Sequence, residues 1–165
     1  MATRIFKNDY ANLTSYSMLD DGAFGKAFEA VFTGKRCKAS GKVDWRHLGD
    51  RYEIKTGAGE LGNAGERLIK GARYVIYCPV PLANADGTLD AYKQEAFLLT
   101  RESFLLALEE AGALREKTST AGKRKVTIQT FWNRKQNKPH GRLLDRILEQ
   151  MYEHCEMTLD EMLEG

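Results

Sequence analysis

Two acidic residues and a lysine in the first third of the chain have the types and spacing needed for metal-dependent hydrolysis. Asp44 is followed, after eight intervening positions, by the tripeptide Glu53-Ile54-Lys55. Carboxylates are the preferred ligands of Mg²⁺ or Mn²⁺, and such a cation lowers the pKa of a bound water and offsets charge on a phosphate. A neighbouring lysine can orient or deprotonate that water, because its pKa falls when it is desolvated. These residues predict phosphodiester cleavage.

The alternation of side chains along a strand explains why an apolar residue separates the two charged ones. In an extended strand, Ile54 points to one face while Glu53 and Lys55 share the other. Asp44 also lies between apolar neighbours, so it can join the same site if its strand pairs with that of Glu53. The alternative is an exposed sheet face on which Glu53 and Lys55 form an ion pair worth about 0–1 kcal/mol.

The pattern resembles the PD-(D/E)XK nuclease superfamily, which has the restriction-endonuclease-like fold. The resemblance covers residues 22–111, where that superfamily runs helix, three strands, helix, strand. It implies that Asp44, Glu53 and the carbonyl group of Ile54 bind the metal. It also implies that Lys55 acts on the attacking water and that DNA is the substrate.

The predicted opening helix adds a further acidic residue. Gly25 precedes Glu29 by four positions, which is similar to the opening helix of the Holliday-junction-resolvase branch. By this likeness Glu29 completes the metal shell through water. Glu29 also lies off the centre of the apolar stripe of the helix, so a solvated glutamate is an equal alternative. Val43 stands where the motif has its proline.

Charge is distributed unevenly along the second half of the chain. Residues 115–142 contain nine Lys and Arg against one acidic residue, whereas residues 149–165 contain six acidic residues and no Lys or Arg. A local positive surplus of this kind suits nucleic acid, although a solvated loop explains it equally well. The predicted nucleic-acid-binding residues are Lys123, Arg124, Lys125, Arg134, Lys135 and Lys138.

Periodicity predicts an α/β or α+β layered domain, with a central mixed β-sheet flanked by helices, that includes all of residues 1–165. The predicted elements are a helix at 22–32, strands at 36–39, 42–46 and 51–55, a helix at 64–70, strands at 74–80 and 94–99, a helix at 100–111, a strand at 125–131 and a helix from 143. Thr100 can cap the helix that runs through Ala111, and Gly112 can end it. Thr158 and Glu161 form a capping-box pattern for a last short helix. Residues 143–165 therefore combine helices with an acidic tail.

Two other functions are compatible with the pattern. One is a non-catalytic nucleic-acid-binding protein that has this fold and a silent site. The other is a dinucleotide-binding domain, since Gly57 to Gly62 matches G-x-G-x-x-G and follows a predicted strand. The first strand of a dinucleotide-binding fold is buried on both faces, so Glu53 and Lys55 would be misplaced there.

Three further features of the sequence concern the cellular location, the cysteines and the oligomeric state. No apolar run is long enough to span a bilayer and the N-terminus lacks a signal-peptide pattern, so we expect a cytoplasmic protein without a membrane partner. Three cysteines at wide spacing, Cys37, Cys78 and Cys155, favour neither a zinc site nor a disulfide framework. The helix from Leu143 could seal the domain or form a homodimer interface, which a nuclease that cuts both strands often needs.

Overall fold

The structure is a computed structural model. It describes residues 16–17, 28, 32, 45–63, 68–80, 82, 88–89, 93–118, 122, 124–129, 132–133, 138–139 and 141–163. The strands are β1 (Tyr16–Ser17), β2 (Trp45–His47), β3 (Asp50–Thr56), β4 (Gly59–Asn63), β5 (Tyr74–Cys78), β6 (Thr88–Leu89), β7 (Phe97–Thr100), β8 (Leu114–Thr118), β9 (Arg124–Ile128), β10 (Trp132–Asn133), β11 (Lys138–Pro139) and β12 (Met157–Thr158). The helices are α1 (Arg101–Glu110), α2 (Gly141–His154) and α3 (Leu159–Leu163), with a 3-10 turn at Leu68–Gly71.

The central sheet has five strands in the order β12-β7-β5-β3-β2. Strands β3 and β5 are parallel, whereas the other neighbouring pairs are antiparallel. The sheet is therefore mixed, and helices accompany it, as the sequence predicts. Strand β5 lies between β3 and β7, and Val75, Ile76, Tyr77 and Cys78 are fully buried. A continuous apolar run of this kind is typical of a strand covered on both faces.

Two hydrophobic cores lie on opposite faces of the central sheet. Adjacent residues of β5 alternate between them, with Val75 in the first core and Ile76 in the second. The first core joins the sheet to α1 and α2, and includes Tyr77, Phe97, Leu99, Phe104, Leu108, Ile147 and Met151. The second core includes Phe28, Phe32, Tyr52, Ile54, Leu98, Leu159 and Met162. Because both faces are covered at β5, a buried charged group on the neighbouring strand β3 needs a partner that compensates for its lost hydration.

A second sheet of three antiparallel strands, in the order β4-β9-β8, packs against the first core. Leu61 of β4 and both Val126 and Ile128 of β9 are buried there. Val126 and Ile128 therefore share one face of β9, which packs against the first core. This sheet connects residues 59–63, immediately after β3, to a hairpin more than 50 positions further along the chain.

Local signals at the helix ends are confirmed. The side chain of Thr100 accepts a 3.1 Å hydrogen bond from the backbone N–H of Ser103, so it caps α1. Gly112 follows this helix with a φ of 72°. At the start of α3, the Thr158 N–H donates to Glu161 Oε1 at 3.2 Å and the Glu161 N–H donates to Thr158 Oγ1 at 3.4 Å. This is the reciprocal bonding of a capping box.

The structure differs from the predicted elements at several places. Residues 59–63 form strand β4, where the sequence suggests only a glycine turn, and β8 is a strand that periodicity does not indicate. Within the described part of 64–70, the chain forms a 3-10 turn at Leu68–Gly71 in place of an α-helix. The predicted strand at 36–39 lies outside the described residues. In the part of the chain that the structure describes, no helix is long and apolar enough to cross a membrane.

Candidate active site

Strand β3 carries the expected alternation of apolar and charged side chains. Tyr52 and Ile54 are 4% and 5% exposed and belong to the second core. Glu53 and Lys55 are partly buried, and alternation places both on the opposite face, the one covered by the first core. The structure therefore brings these two predicted site residues onto one face of one strand.

The neighbours of Glu53 and Lys55 on the parallel strand are apolar core residues. Glu53 is in register with Val75, and Lys55 with Tyr77. Both partners are fully buried in the first core, and one carboxylate oxygen of Glu53, Oε2, is itself buried from solvent. A carboxylate in such surroundings loses hydration, and that loss is what a cation or a hydrogen-bond donor must compensate.

The turn that follows β3 is attached to the buried strand β5. The backbone N–H of Gly57 donates a 2.9 Å hydrogen bond to the carbonyl of Cys78, and the Tyr77 hydroxyl donates a 2.7 Å bond to the carbonyl of Gly57. Burial raises the pKa of Tyr77 well above its usual value, so the hydroxyl remains a donor. The turn beside Lys55 is thus held by two bonds to a core strand.

The amine of Lys55 lies against the backbone where β4 begins. A Cβ atom built on Gly59 would be 3.6 Å from Lys55 Nζ. Gly59 has a φ of 126°, a conformation that side chains rarely adopt. Glycine therefore leaves space beside the amine where another residue would fill it.

A tight hairpin joins β2 to β3. Leu48 and Gly49 form its turn with φ values of 50° and 84°, the positive values that a type I′ turn requires. Trp45 is in register with Tyr52, and their ring centroids are 5.0 Å apart. Trp45 also stacks on His47 at 4.6 Å, which gives His47 a packing role. These aromatic contacts fix the register of the strand that begins immediately after Asp44 in the sequence.

Two of the predicted metal ligands, Asp44 and Glu29, lie outside the described residues. Of the predicted ligand set, the structure describes Glu53 and Ile54. Among the described residues, no group of three or more His, Cys, Asp or Glu side chains is arranged to hold a metal ion. A complete site on this strand would therefore need the carboxylate of Asp44 in addition to Glu53.

The described part of the predicted basic surface is paired with acidic residues. Arg124 forms an ion pair with Glu116 on β8, and Lys125 Nζ is 3.1 Å from Glu60 Oε1 on β4. All four side chains are substantially exposed, so each pair contributes little to stability. Lys123, Arg134 and Lys135 lie outside the described residues, and Lys138 begins the short strand β11. The surplus charge near Arg124 and Lys125 is smaller than the composition suggests.

The glycine-rich segment does not lead into a helix within the described residues. After the turn at Gly57, residues 59–63 form β4, which pairs with β9 through a bulge between Glu60 and Gly62. A dinucleotide-binding turn would lead directly into a helix whose N-terminus receives the pyrophosphate. The described geometry does not favour the dinucleotide-binding interpretation.

The hairpin also carries two arginines that the sequence reasoning missed. Arg46 and Arg51 are directly opposite each other, and both are exposed. The sequence does indicate the position of Arg51, because Arg51 is two residues before Glu53 and therefore shares its face of β3. Only the pairing of β2 with β3 brings Arg46 beside it.

We compared the chain with protein-family models, with curated proteins and with solved structures. None of the three comparisons finds a match.

Proposed function

We propose that the chain is a divalent-metal-dependent endonuclease that hydrolyses DNA phosphodiester bonds. The observation that carries this proposal is the placement of Glu53 and Lys55 on one partly buried face of β3. Their neighbours on β5 are fully buried and apolar. A glutamate and a lysine in such a position cost hydration energy, and a catalytic site is one established reason to retain them.

The arrangement of elements supports a restriction-endonuclease-like fold. Phe28 and Phe32 are both helical and pack beneath the sheet, and they precede β2, β3 and β5 in the order that the resemblance implies. One difference is that the described part of the crossover from β3 to β5 contains β4 and a 3-10 turn, where the superfamily has a helix.

The proposal requires Asp44 to face Glu53. Strands β2 and β3 are antiparallel, with Trp45 opposite Tyr52. Asp44 lies outside the described residues, and the sequence-based expectation is that its strand pairs with that of Glu53, so that both carboxylates share one face. Two carboxylates on adjacent strands would then flank one site.

The donor chemistry of these residues fits Mg²⁺ or Mn²⁺. Both cations prefer oxygen ligands and are commonly bound through one or two carboxylates, with water completing the shell. Glu53, the Ile54 carbonyl and Asp44 would hold the cation, and Glu29 would act through water. When bound, the cation would lower the pKa of a water molecule and offset charge on the phosphate.

Lys55 has two tasks in this proposal. Its ammonium group can hold the attacking water in line with the phosphorus, or accept its proton once the amine is neutral. Gly59 keeps the position beside Lys55 Nζ free of a side chain, since a Cβ atom there would lie 3.6 Å from the amine. Removal of a positioned proton acceptor reduces the rate by about 10²–10⁴-fold.

The test is cleavage of supercoiled, linear, single-stranded and four-way-junction DNA with Mg²⁺, with Mn²⁺ and with EDTA. We expect cutting only with a divalent cation, and loss of about 10²-fold or more in Asp44→Asn, Glu53→Gln and Lys55→Ala. Glu102→Gln is the matched control, because Glu102 is exposed at the start of α1. Equal cleavage by all variants would overturn the proposal, because Asp44, Glu53 and Lys55 would then not carry the activity. DNA binding without cleavage under every condition would favour the non-catalytic nucleic-acid-binding protein.

A further inference from the structure

Arg46 and Arg51 form a pair of like charges on the β2–β3 hairpin. Their Cα atoms are partners in the antiparallel register, and both residues are exposed. Directly opposite side chains on an antiparallel pair have Cβ atoms about 4.5–5.5 Å apart, and like charges in this position are destabilising. The proximity of the two arginines therefore does not stabilise the free protein.

Three other arginines of the described chain, unlike this pair, have an acidic partner. Arg73 lies 2.8 Å from Asp50, Arg101 lies 3.3 Å from Glu102, and Arg124 pairs with Glu116. In the described residues, neither Arg46 nor Arg51 makes an ion pair or a side-chain hydrogen bond, so their ten N–H donors in all are available to a ligand. An anion placed between the two guanidinium groups would convert the repulsion into attraction.

The pair is next to the proposed active site and on the same face. Residues 51, 53 and 55 of β3 alternate with the buried Tyr52 and Ile54, so Arg51 shares the face of Glu53 and Lys55. A strand rises about 3.4 Å per residue, which places Glu53 about 7 Å beyond Arg51. One strand of duplex DNA carries a phosphate about every 3.4 Å along the axis, so a strand held at the arginine pair extends to Glu53.

We propose that Arg46 and Arg51 together bind a backbone phosphate of the nucleic acid and position the neighbouring phosphodiester at Glu53 and Lys55. This inference rests on the proposed function, from which the class of ligand is taken. Arginine is suited to this role because its planar guanidinium group donates two parallel hydrogen bonds to a phosphate. Both residues are positioning residues, and they recognise the backbone without reading base sequence.

The test is a binding experiment in EDTA, so that the result does not depend on cleavage. Fluorescence anisotropy of a labelled DNA duplex is measured over a series of salt concentrations with the full chain. Each phosphate contact contributes about 0.9 to the slope of log K against log salt concentration. We expect the double variant to lower this slope by about one, because the two arginines share one phosphate, and Arg46→Gln and Arg51→Gln each to lower it by less.

Matched variants distinguish the effect of a specific phosphate contact on binding from the effect of net charge. Arg101→Gln removes the same charge from an arginine that is already paired, and it should leave the slope unchanged. Arg46→Lys keeps the charge and loses the paired donors, so it should retain most of the slope and bind more weakly. The melting temperature of the free double variant should not fall, because the repulsion between the arginines is lost.

The outcomes are distinguishable from failure of the nuclease proposal. A reduced slope in the double variant supports the phosphate site whether or not the wild type cleaves DNA in Mg²⁺. An unchanged slope in the double variant, or an equal loss in Arg101→Gln, overturns the inference even if cleavage is observed. The inference is also overturned if millimolar inorganic phosphate raises the melting temperature of the wild type while the wild type does not bind DNA. The ligand of the arginine pair would then be a free anion.

Discussion

The hydroxyl of Tyr77 donates a 2.7 Å hydrogen bond to the carbonyl oxygen of Gly57. Tyr77 is fully buried on the central strand β5 and is the register partner of Lys55 on β3. The core residue beside Lys55 therefore also holds the turn that follows it. Through this bond, the first core holds the turn two residues before Gly59, beside which the Lys55 amine lies.

Tyr77→Phe should separate this anchoring from core packing. The ring remains while the hydroxyl is lost, so the Gly57 carbonyl loses a donor in a partly buried setting. We expect the free energy of unfolding to fall by about 1–2 kcal/mol, measured by urea denaturation. DNA cleavage should fall as well, with little change in binding. Unchanged stability and unchanged cleavage would show that the turn is held by the Gly57 N–H alone.

Gly59→Ala should place a methyl group beside the Lys55 amine. The added Cβ would be 3.6 Å from Nζ, in a backbone with a φ of 126°. We expect a stability loss of about 1–3 kcal/mol from the strained backbone and a larger fractional loss of cleavage. Gly122→Ala is the control, because its φ is 78° and nothing lies within 4 Å of the added atom. If both variants lose cleavage only in proportion to folded protein, access to Lys55 is not the cause.

Glu60→Gln should release Lys125 from its ion pair. Their 3.1 Å contact joins two side chains that are 54% and 39% exposed, so stability should change by less than about 1 kcal/mol. The variant removes a negative charge near the predicted basic surface, so it should bind duplex DNA more tightly, most clearly at low salt. Anisotropy at two salt concentrations measures this, with Glu102→Gln as the control. No gain in affinity would place Lys125 away from the bound DNA.

Leu48→Asn should stabilise the β2–β3 hairpin. Leu48 has a φ of 50° and is 76% exposed, whereas Asn-Gly is the preferred pair for a type I′ turn. We expect a gain of about 0.5–1 kcal/mol in the free energy of unfolding, because a leucine in this region is strained. Leu82→Asn, also at an exposed leucine, should change stability little. A loss of stability in Leu48→Asn would argue against this turn and hence against the facing of Arg46 and Arg51.

Stability should decline above about pH 10 through Tyr52. Burial, with a smaller effect of Asp50, raises the pKa of Tyr52 from 10.0 to about 12. The folded state keeps the proton while the unfolded state releases it, so the contribution is complete below about pH 10 and is lost as the pH rises to about 12. A two-unit difference corresponds to at most about 2.7 kcal/mol. Tyr52→Phe should show a smaller loss between pH 9 and 11 in denaturant titrations, relative to its own stability at pH 8.

Sequence alone was sufficient where the physical cause is local. The alternation around Ile54 predicts the two faces of β3, and the Thr100 and Thr158 caps predict the starts of two helices, because these signals involve residues within one strand or one helical turn. The apolar stripe that predicts α2 is also a local signal, because all of its residues lie within one helix. The two charged residues of the candidate site, Glu53 and Lys55, were found in this way.

Tertiary structure decided the features that depend on residues distant in the chain. Residues 59–63 are rich in glycine and have weak strand propensity, and they form β4 because β9, more than 60 positions later, supplies its hydrogen bonds. The pairing of Lys125 with Glu60 follows from the same contact. The facing of Arg46 and Arg51 depends on the hairpin register. The charged residues of this chain were visible in its sequence, whereas their partners were set by strand pairing, because pairing depends on the packing of the whole sheet.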